Sequence, residues 1–330
     1  MQQLILASGS DDDMGSLLGL LHSAPPIELQ LKIDILKSLL VCLKESHRTR
    51  TVFRKVGGFV YVMSALVSLE GSLGDVMPTV WSTVPSRQIL TLLLNVFHTL
   101  TTAMRFEPAN AKFFHQEICY TSFCDTLRLL GCFMTATNIQ DSSKDIVPLG
   151  HADMINLEDG SLKACGTLAD GIDFNTFHTI FTTPILEYMP PPEIPVSLVR
   201  VVQILQLMYH MALDAFDKAS VPSFTPPSIG TCNDNKVLDI SPSSKRPVAG
   251  LNLGPAPTEP VIVHSGVVTA LLHLLPSIQH PSHPQMACVL QLYTAHLIKS
   301  LVRTERNQQL MCESGLVGDL LTRCSVALVQ

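Results

Sequence analysis

Charge is what this sequence has least of. Asp, Glu, Lys and Arg together make up 15% of its 330 residues, against roughly 25% in an average soluble protein. A free-standing globule of this length wants more polar surface than that. The deficit points to a slice of a longer stack whose ends are covered, or to a face that binds a partner. The formal net charge of −6 is mild and spread along the chain, and no basic stripe argues for nucleic acid. Tryptophan occurs once, as Trp81.

The cysteines also lack a pattern. There are nine, at 42, 119, 124, 132, 165, 232, 288, 312 and 324, an odd number with no Cys-x-x-Cys pair. Without a secretory leader ahead of them they read as reduced, buried thiols of a cytosolic protein. His115, Cys119 and Cys124 do not have the tight paired spacing of a zinc site. The best uncharged stretch for a membrane span, Gln88 to Met104, is interrupted by Asn95, His98 and four threonines, which makes it too short and too polar. No Gly-x-Gly-x-x-Gly, Walker-type loop, Gly-x-Ser-x-Gly or His-Glu-x-x-His occurs. The acids are dispersed, so no pair stands out for acid–base work. His280 and His283 flank a Pro-Ser turn with no further ligand evident. These absences predict no enzyme, no cofactor and no metal.

What is present is a recurring unit. Phe53 stands five residues before Gly58-Phe59-Val60, and Leu310 five before Gly315-Leu316-Val317, while Gly266-Val267-Val268 repeats the second half alone. Units that cannot bury their own apolar face must stack on neighbours, which is the mark of a helical repeat. Leu29, Ile33, Leu36, Leu40 and Leu43 form one apolar stripe, and Ile89, Leu93, Val96, Phe97, Leu100 and Met104 another. Leu198 to Phe216 and Met286 to Leu301 continue the theme at helical spacing. Long helices are predicted to start near 28, 88, 196 and 285, and third helices near 59, 122, 266 and 315. Ile118 stands where the other copies have glycine, so the second unit is degenerate. The fold expected is an all-α, armadillo/HEAT-like solenoid of about four three-helix units with disordered insertions.

The expected organisation is helical units over 1–134, and again over 195–218 and 262–330. Residues 135–194 form an irregular insertion with room for a short helix, because Phe174, Phe177, Ile180 and Phe181 are helix-spaced before Pro184 and Pro190-Pro191-Pro192 break the run. Residues 219–261, rich in Pro and Ser, are predicted to be disordered. The third unit is longer than its neighbours by about the length of that stretch, which predicts that it interrupts or replaces the short middle helix while the flanking helices still pack together. The first residues read as the tail of a preceding helix and the last as a helix without a C-cap, as in a chain cut from something larger.

Few side chains suggest a role. Lys44, Arg48, Arg50, Arg54 and Lys55 form a basic cluster with Glu45 inside it. Arg48, Arg50, Arg54 and Lys55 are candidates for contact with a phospholipid headgroup or an acidic partner; the plainer reading is that cations gather where one helix ends and bond its carbonyls. Arg50, Asn110 and Asn307 each precede a large apolar residue by three and suit inter-helix bonding. Thr225-Pro226 and Ser241-Pro242 are candidate phosphorylation sites in the Pro/Ser-rich stretch.

Several longer runs carry a resemblance. Ala7-Ser8-Gly9-Ser10-Asp11-Asp12-Asp13-Met14-Gly15, His47-Arg48-Thr49-Arg50-Thr51-Val52-Phe53-Arg54-Lys55-Val56-Gly57-Gly58-Phe59-Val60-Tyr61, Phe106-Glu107-Pro108-Ala109-Asn110 and Arg303-Thr304-Glu305-Arg306-Asn307-Gln308-Gln309 resemble the N-terminal armadillo-like region of the very large BEACH proteins with WD repeats and a FYVE domain. That family includes Alfy, blue cheese of flies and an immune-cell paralogue. The resemblance covers roughly 1–70, 86–134 and 262–330. It implies a non-enzymatic cytoplasmic scaffold segment, peripheral on autophagic or endosomal membranes through domains that lie elsewhere in such proteins. Its partners would be other proteins and adjacent segments of the full-length chain. Selective autophagy of protein aggregates or related vesicle trafficking is the implied setting, and antigen cross-presentation in dendritic cells is that of the paralogue. A generic armadillo peptide-binding module, like the nuclear import adaptors, is the rival reading; it needs ladders of Asn and Trp, and one tryptophan argues against it.

Overall fold

The computed structural model describes residues 11–134, 174–218, 221–222, 224 and 259–323. Among them there is no strand; thirteen α-helices run in order. A first helix, α1 (Asp11–Ser23), precedes a unit made of α2 (Leu29–Glu45), α3 (His47–Lys55) and α4 (Gly58–Val67). The second unit is α5 (Ser86–Met104), α6 (Pro108–Phe113) and α7 (Tyr120–Leu129). A separate helix, α8 (Phe174–Thr182), comes before the third unit, α9 (Val196–Ala212) and α10 (Ser265–Leu274). The fourth is α11 (Pro284–Leu301), α12 (Glu305–Glu313) and α13 (Leu316–Arg323). The protein is thus an all-helical, armadillo-like stack.

The long helices form because their apolar residues repeat on one side. All five stripe residues of α2 are buried, as are those of α5. Local chemistry sets the boundaries. Pro108 and Pro284 open α6 and α11, where a missing amide costs nothing. Ser46 accepts from the Arg48 amide to cap α3, and Thr304 accepts from Asn307 to cap α12.

Successive units pack like on like. α2 lies along α5, and α5 along α9; α1, α4, α7 and α10 form a second row. α9 also packs against α10, although the chain between them is long. The fourth unit breaks the rule, because α8 packs against both α9 and α11. Rings seat it there: Phe174, Phe177 and Phe181 all lie against Tyr293 of α11, and Phe181 meets Tyr209 of α9 edge-on. Enclosed on several sides, α9 is buried at every residue except Val196 and His210. Its polar groups are answered from 183–185, where Gln203 donates to the Ile185 carbonyl and Gln206 to that of Thr183.

The motif glycines divide into two kinds. Gly57 and Gly315 carry φ of 79° and 86° at the turn into the last helix of their units, a conformation glycine adopts freely. Gly58 instead makes room: a Cβ there would lie 2.4 Å from the Phe53 ring. The structural counterpart of Gly315 is therefore Gly57, one residue from the register that the spacing predicts. The degenerate second unit has Cys119 at this turn, held at φ 64°. Positive φ costs a non-glycine residue about 1 kcal/mol or more. Cys119→Gly is expected to raise stability by about 1 kcal/mol, seen as a higher urea midpoint at unchanged slope.

Among the described residues the third unit has no helix between α9 and α10. Residues 260–264, which are not helical, meet α12 where α3 meets α6, with Ile262 inward and Val261 and Val263 exposed. Val263 and His264 donate their amides to the Ala212 carbonyl at the end of α9. Gly266 makes room as Gly58 does, but for the Tyr120 ring of the second unit; a Cβ on Gly266 would lie 2.0 Å from it.

Candidate interaction surface

Most clustered polar groups join neighbouring units, along three lines. The first follows the middle helices. Asn110, fully buried, donates to the Ala103 carbonyl at the end of its own long helix and to the Arg50 carbonyl of the preceding unit, each at 2.8 Å. Its amide oxygen accepts from Arg54 Nε at 2.9 Å. Asn307 repeats the arrangement in the fourth unit. It donates to Leu301 and Pro260 carbonyls, both at 2.7 Å, and accepts from the Ile262 amide. Pro260 and Ile262 thus take the place that α3 holds for Asn110.

The second line joins the ends of the long helices. Arg105 forks onto Asp214 and reaches Asp217, which also accepts from Lys44 of α2 at 2.6 Å. His98 Nε2 lies 3.1 Å from the same carboxylate. Burial alone would raise the Asp217 pKa, but the bonds from Lys44 and Arg105, with His98 close by, hold it well below the usual carboxylate range. Asp214 sits at φ 48°, two residues past the end of its long helix, just as Phe106 sits at φ 54° past the end of α5.

The third line links the loops that follow the last helices. Gly71 and Leu73 amides donate to Leu129 and Leu130 carbonyls at 2.8 Å, and the Met134 amide to Ser277. Gly74 and Gly131 allow the loops to cross, since a Cβ on Gly74 would meet the Gly131 carbonyl at 3.0 Å. Arg128 of α7 completes the line with bonds to Ser277 and to the His273 carbonyl of α10.

Beside this line lies a cleft of about 630 Å³, lined chiefly by Pro26, Pro78, Trp81, Leu129, Phe133 and Met134, with Asp75, Cys132, Ser197 and His280 among its polar groups. Asp75 accepts from both the amide and the hydroxyl of Ser197, capping α9 from another unit, and from His280 Nε2 at 2.9 Å. Burial works against its charge, yet these bonds lower its pKa. The His283 amide donates to the other ring nitrogen of His280, so Nε2 carries the proton. Carboxylate, serine and histidine meet here in an order that activates nothing, since serine and histidine both donate to the acid. Burial pushes the Cys132 thiol up to about 12, which leaves it un-ionised at neutral pH. Among the described residues no group of three His, Cys, Asp or Glu side chains could hold a metal ion.

The four candidate cations separate into two pairs. Arg50 Nη1 donates to the Leu43 carbonyl and Arg54 to Asn110, so both serve the helix junction. Arg48 and Lys55 are exposed. Thr225 and Ser241 lie outside the described residues. Asp75, Asp214 and Asp217 carry no signal in the sequence, because each is a single acid whose partners are remote. Trp81 closes a 3-10 turn, is buried and donates to the Glu70 carbonyl. No single helix among the described residues is long and apolar enough to cross a membrane.

A family model of armadillo-like repeats matches residues 22–144. Over 98% of its length the chain is 30% identical to WD repeat- and FYVE domain-containing protein 4 of Homo sapiens, and over 96% it is 28% identical to the Mus musculus protein of the same name. It spans about 9% of the length of each. No solved structure matches it. The similarity runs nearly end to end, beyond the three blocks that carry the resemblance in the sequence. The chain is an armadillo-like helical segment related to the WD repeat- and FYVE domain-containing proteins.

Proposed function

We propose that this chain is a non-enzymatic scaffold segment, acting in the cytoplasm in selective autophagy of protein aggregates or related vesicle trafficking. One observation carries the scaffold reading. The clustered ionisable and amide side chains, Lys44, Arg105, Asp214, Asp217, Asn110 and Asn307, are consumed in holding unit to unit. What remains outward is surface for other proteins and for adjacent segments of a longer chain. Arg48 and Lys55 are the exposed cations offered to an acidic partner or a phospholipid headgroup. Membrane association of the whole protein would come from domains outside this segment.

The test is deletion of this segment from the full-length protein, followed by measurement of ubiquitin-positive aggregates in cells. Aggregates are expected to persist; clearance at the normal rate sinks the autophagy reading. The similarity to WD repeat- and FYVE domain-containing protein 4 favours a second reading, antigen cross-presentation. It predicts that the same deletion impairs cross-presentation by dendritic cells while aggregate clearance is untouched.

A further inference from the structure

Two stretches that join at the start of α9 each carry exposed acids and exposed apolar side chains. Residues 56–86 contain two charged side chains, Glu70 and Asp75, and residues 174–199 contain two more, Glu187 and Glu193; neither stretch has a Lys or Arg. All four acids are exposed. The two stretches meet at the start of α9, where Asp75 binds Ser197, and the chain from Thr183 to Ile185 runs back along α9 through the Gln206 and Gln203 bonds. Large apolar groups stand out of the same stretches: Val76 is 91% exposed and Met189 87%, with Met77, Val80 and Val196 partly so. Nearby cations do not offset the acids. Lys32 and Arg200 are buried, and Arg128 is taken up by Asp125, Ser277 and the His273 carbonyl. The exposed cations that flank the first stretch in sequence are Lys55, which ends α3, and Arg87, in the first turn of α5. The apolar cleft is lined by Glu70, Asp75 and Val80 of the first stretch and by Ser197 of the second.

Building on the scaffold reading, we propose that these two stretches form a docking site for a partner-protein segment that combines Lys or Arg with large aliphatic residues. Its apolar side chains would cover Val76, Val80 and Met189 and anchor in the cleft beside Trp81. Its cations would face Glu70, Glu187 and Glu193. Complementary charge sets which partner binds and how fast, while the buried anchor supplies most of the affinity. Asp75 is not free for this, since it caps α9.

The probe is a fluorescent 14-residue amphipathic peptide of Lys and Leu, with a Glu and Leu peptide as its counterpart, titrated into the whole chain and read by anisotropy. The Lys/Leu peptide is expected to bind and the Glu/Leu peptide not to. The triple variant Glu70→Lys, Glu187→Lys, Glu193→Lys is expected to weaken binding at least about tenfold, because it removes three attractions and adds three repulsions. The triple variant Glu45→Lys, Glu117→Lys, Glu305→Lys changes net charge equally on other faces and is expected to bind within about twofold of the unaltered chain. Circular dichroism checks that both variants stay helical. Equal weakening by the two variants, equal binding of the two peptides, or no binding overturns the proposal. So does a sedimentation mass that rises to a dimer with concentration and falls back with Val76→Glu, which would give the face to a second copy. None of these results bears on the scaffold reading, which the deletion experiment decides separately.

Discussion

Asn110→Ala is expected to lower the stability of the stack by about 3 kcal/mol, more than any exposed substitution. The side chain is fully buried and makes three hydrogen bonds that join two units. Alanine removes both donors, leaving the Ala103 and Arg50 carbonyls without them, and removes the acceptor for Arg54. An orphaned buried polar group costs about 1–3 kcal/mol, and the lost volume adds a cavity. Asn307→Ala should act in the same way, because the same three-way bond recurs there with Leu301, Pro260 and Ile262. The two sites share no partner, so the double variant should sum the single effects to within about 0.5 kcal/mol. Asn110→Asp separates bonding from packing: it keeps the shape and the acceptor but loses both donations, and should cost nearly as much as alanine. Urea midpoints at constant slope measure each. A loss under about 1 kcal/mol for Asn110→Ala would mean that helix packing alone holds the units in register.

What could be read from the sequence was whatever repeats. The apolar stripes of α2, α5, α9 and α11 place the long helices because burial on one face needs only a periodic pattern. The shared offset of Arg50, Asn110 and Asn307 before a large apolar residue marks a bonding position because each unit builds its helix junction alike. The glycine register was legible to within one residue, since Gly57 and Gly58 stand side by side and only the backbone tells the left-handed turn from the close approach. The rest is illegible for a definite reason. The non-helical stretch at 260–264 is held largely through backbone atoms, which have no letter in a sequence. The network at the ends of the long helices joins Arg105 to Asp217 across 112 positions, and Asp75 finds His280 across 205. Nothing local signals such pairs. The place of α8 between α9 and α11 depends on aromatic contacts from three elements, and no single segment encodes it.

Acid should weaken the stack well before its carboxylates are protonated, and His264 is the reason. It is 6% exposed, precedes α10, and its Nε2 has no hydrogen-bond partner. Burial lowers its pKa from 6.5 to about 4; Asp214 pulls the other way and Arg105 adds to the lowering. The sign follows from that depression. Above pH 6.5 the ring is neutral in both the folded and the unfolded chain, and the full stability is present. As pH falls from 6.5 to about 4 the unfolded chain takes up a proton that the folded one refuses, so stability drops. A gap of this size corresponds to about 3 kcal/mol at the bottom of the window. Asp217, with its pKa depressed, contributes in the lower range, where unfolded carboxylates begin to protonate. His98, His178, His210 and His296 are also lowered by burial, so His264→Leu should flatten the pH dependence between 6.5 and 4.5 without abolishing it. Urea midpoints at pH 7, 6, 5 and 4.5 for the two chains measure this directly. Parallel curves would show that His264 takes up its proton inside the folded stack at no cost, and that the loss in acid begins elsewhere.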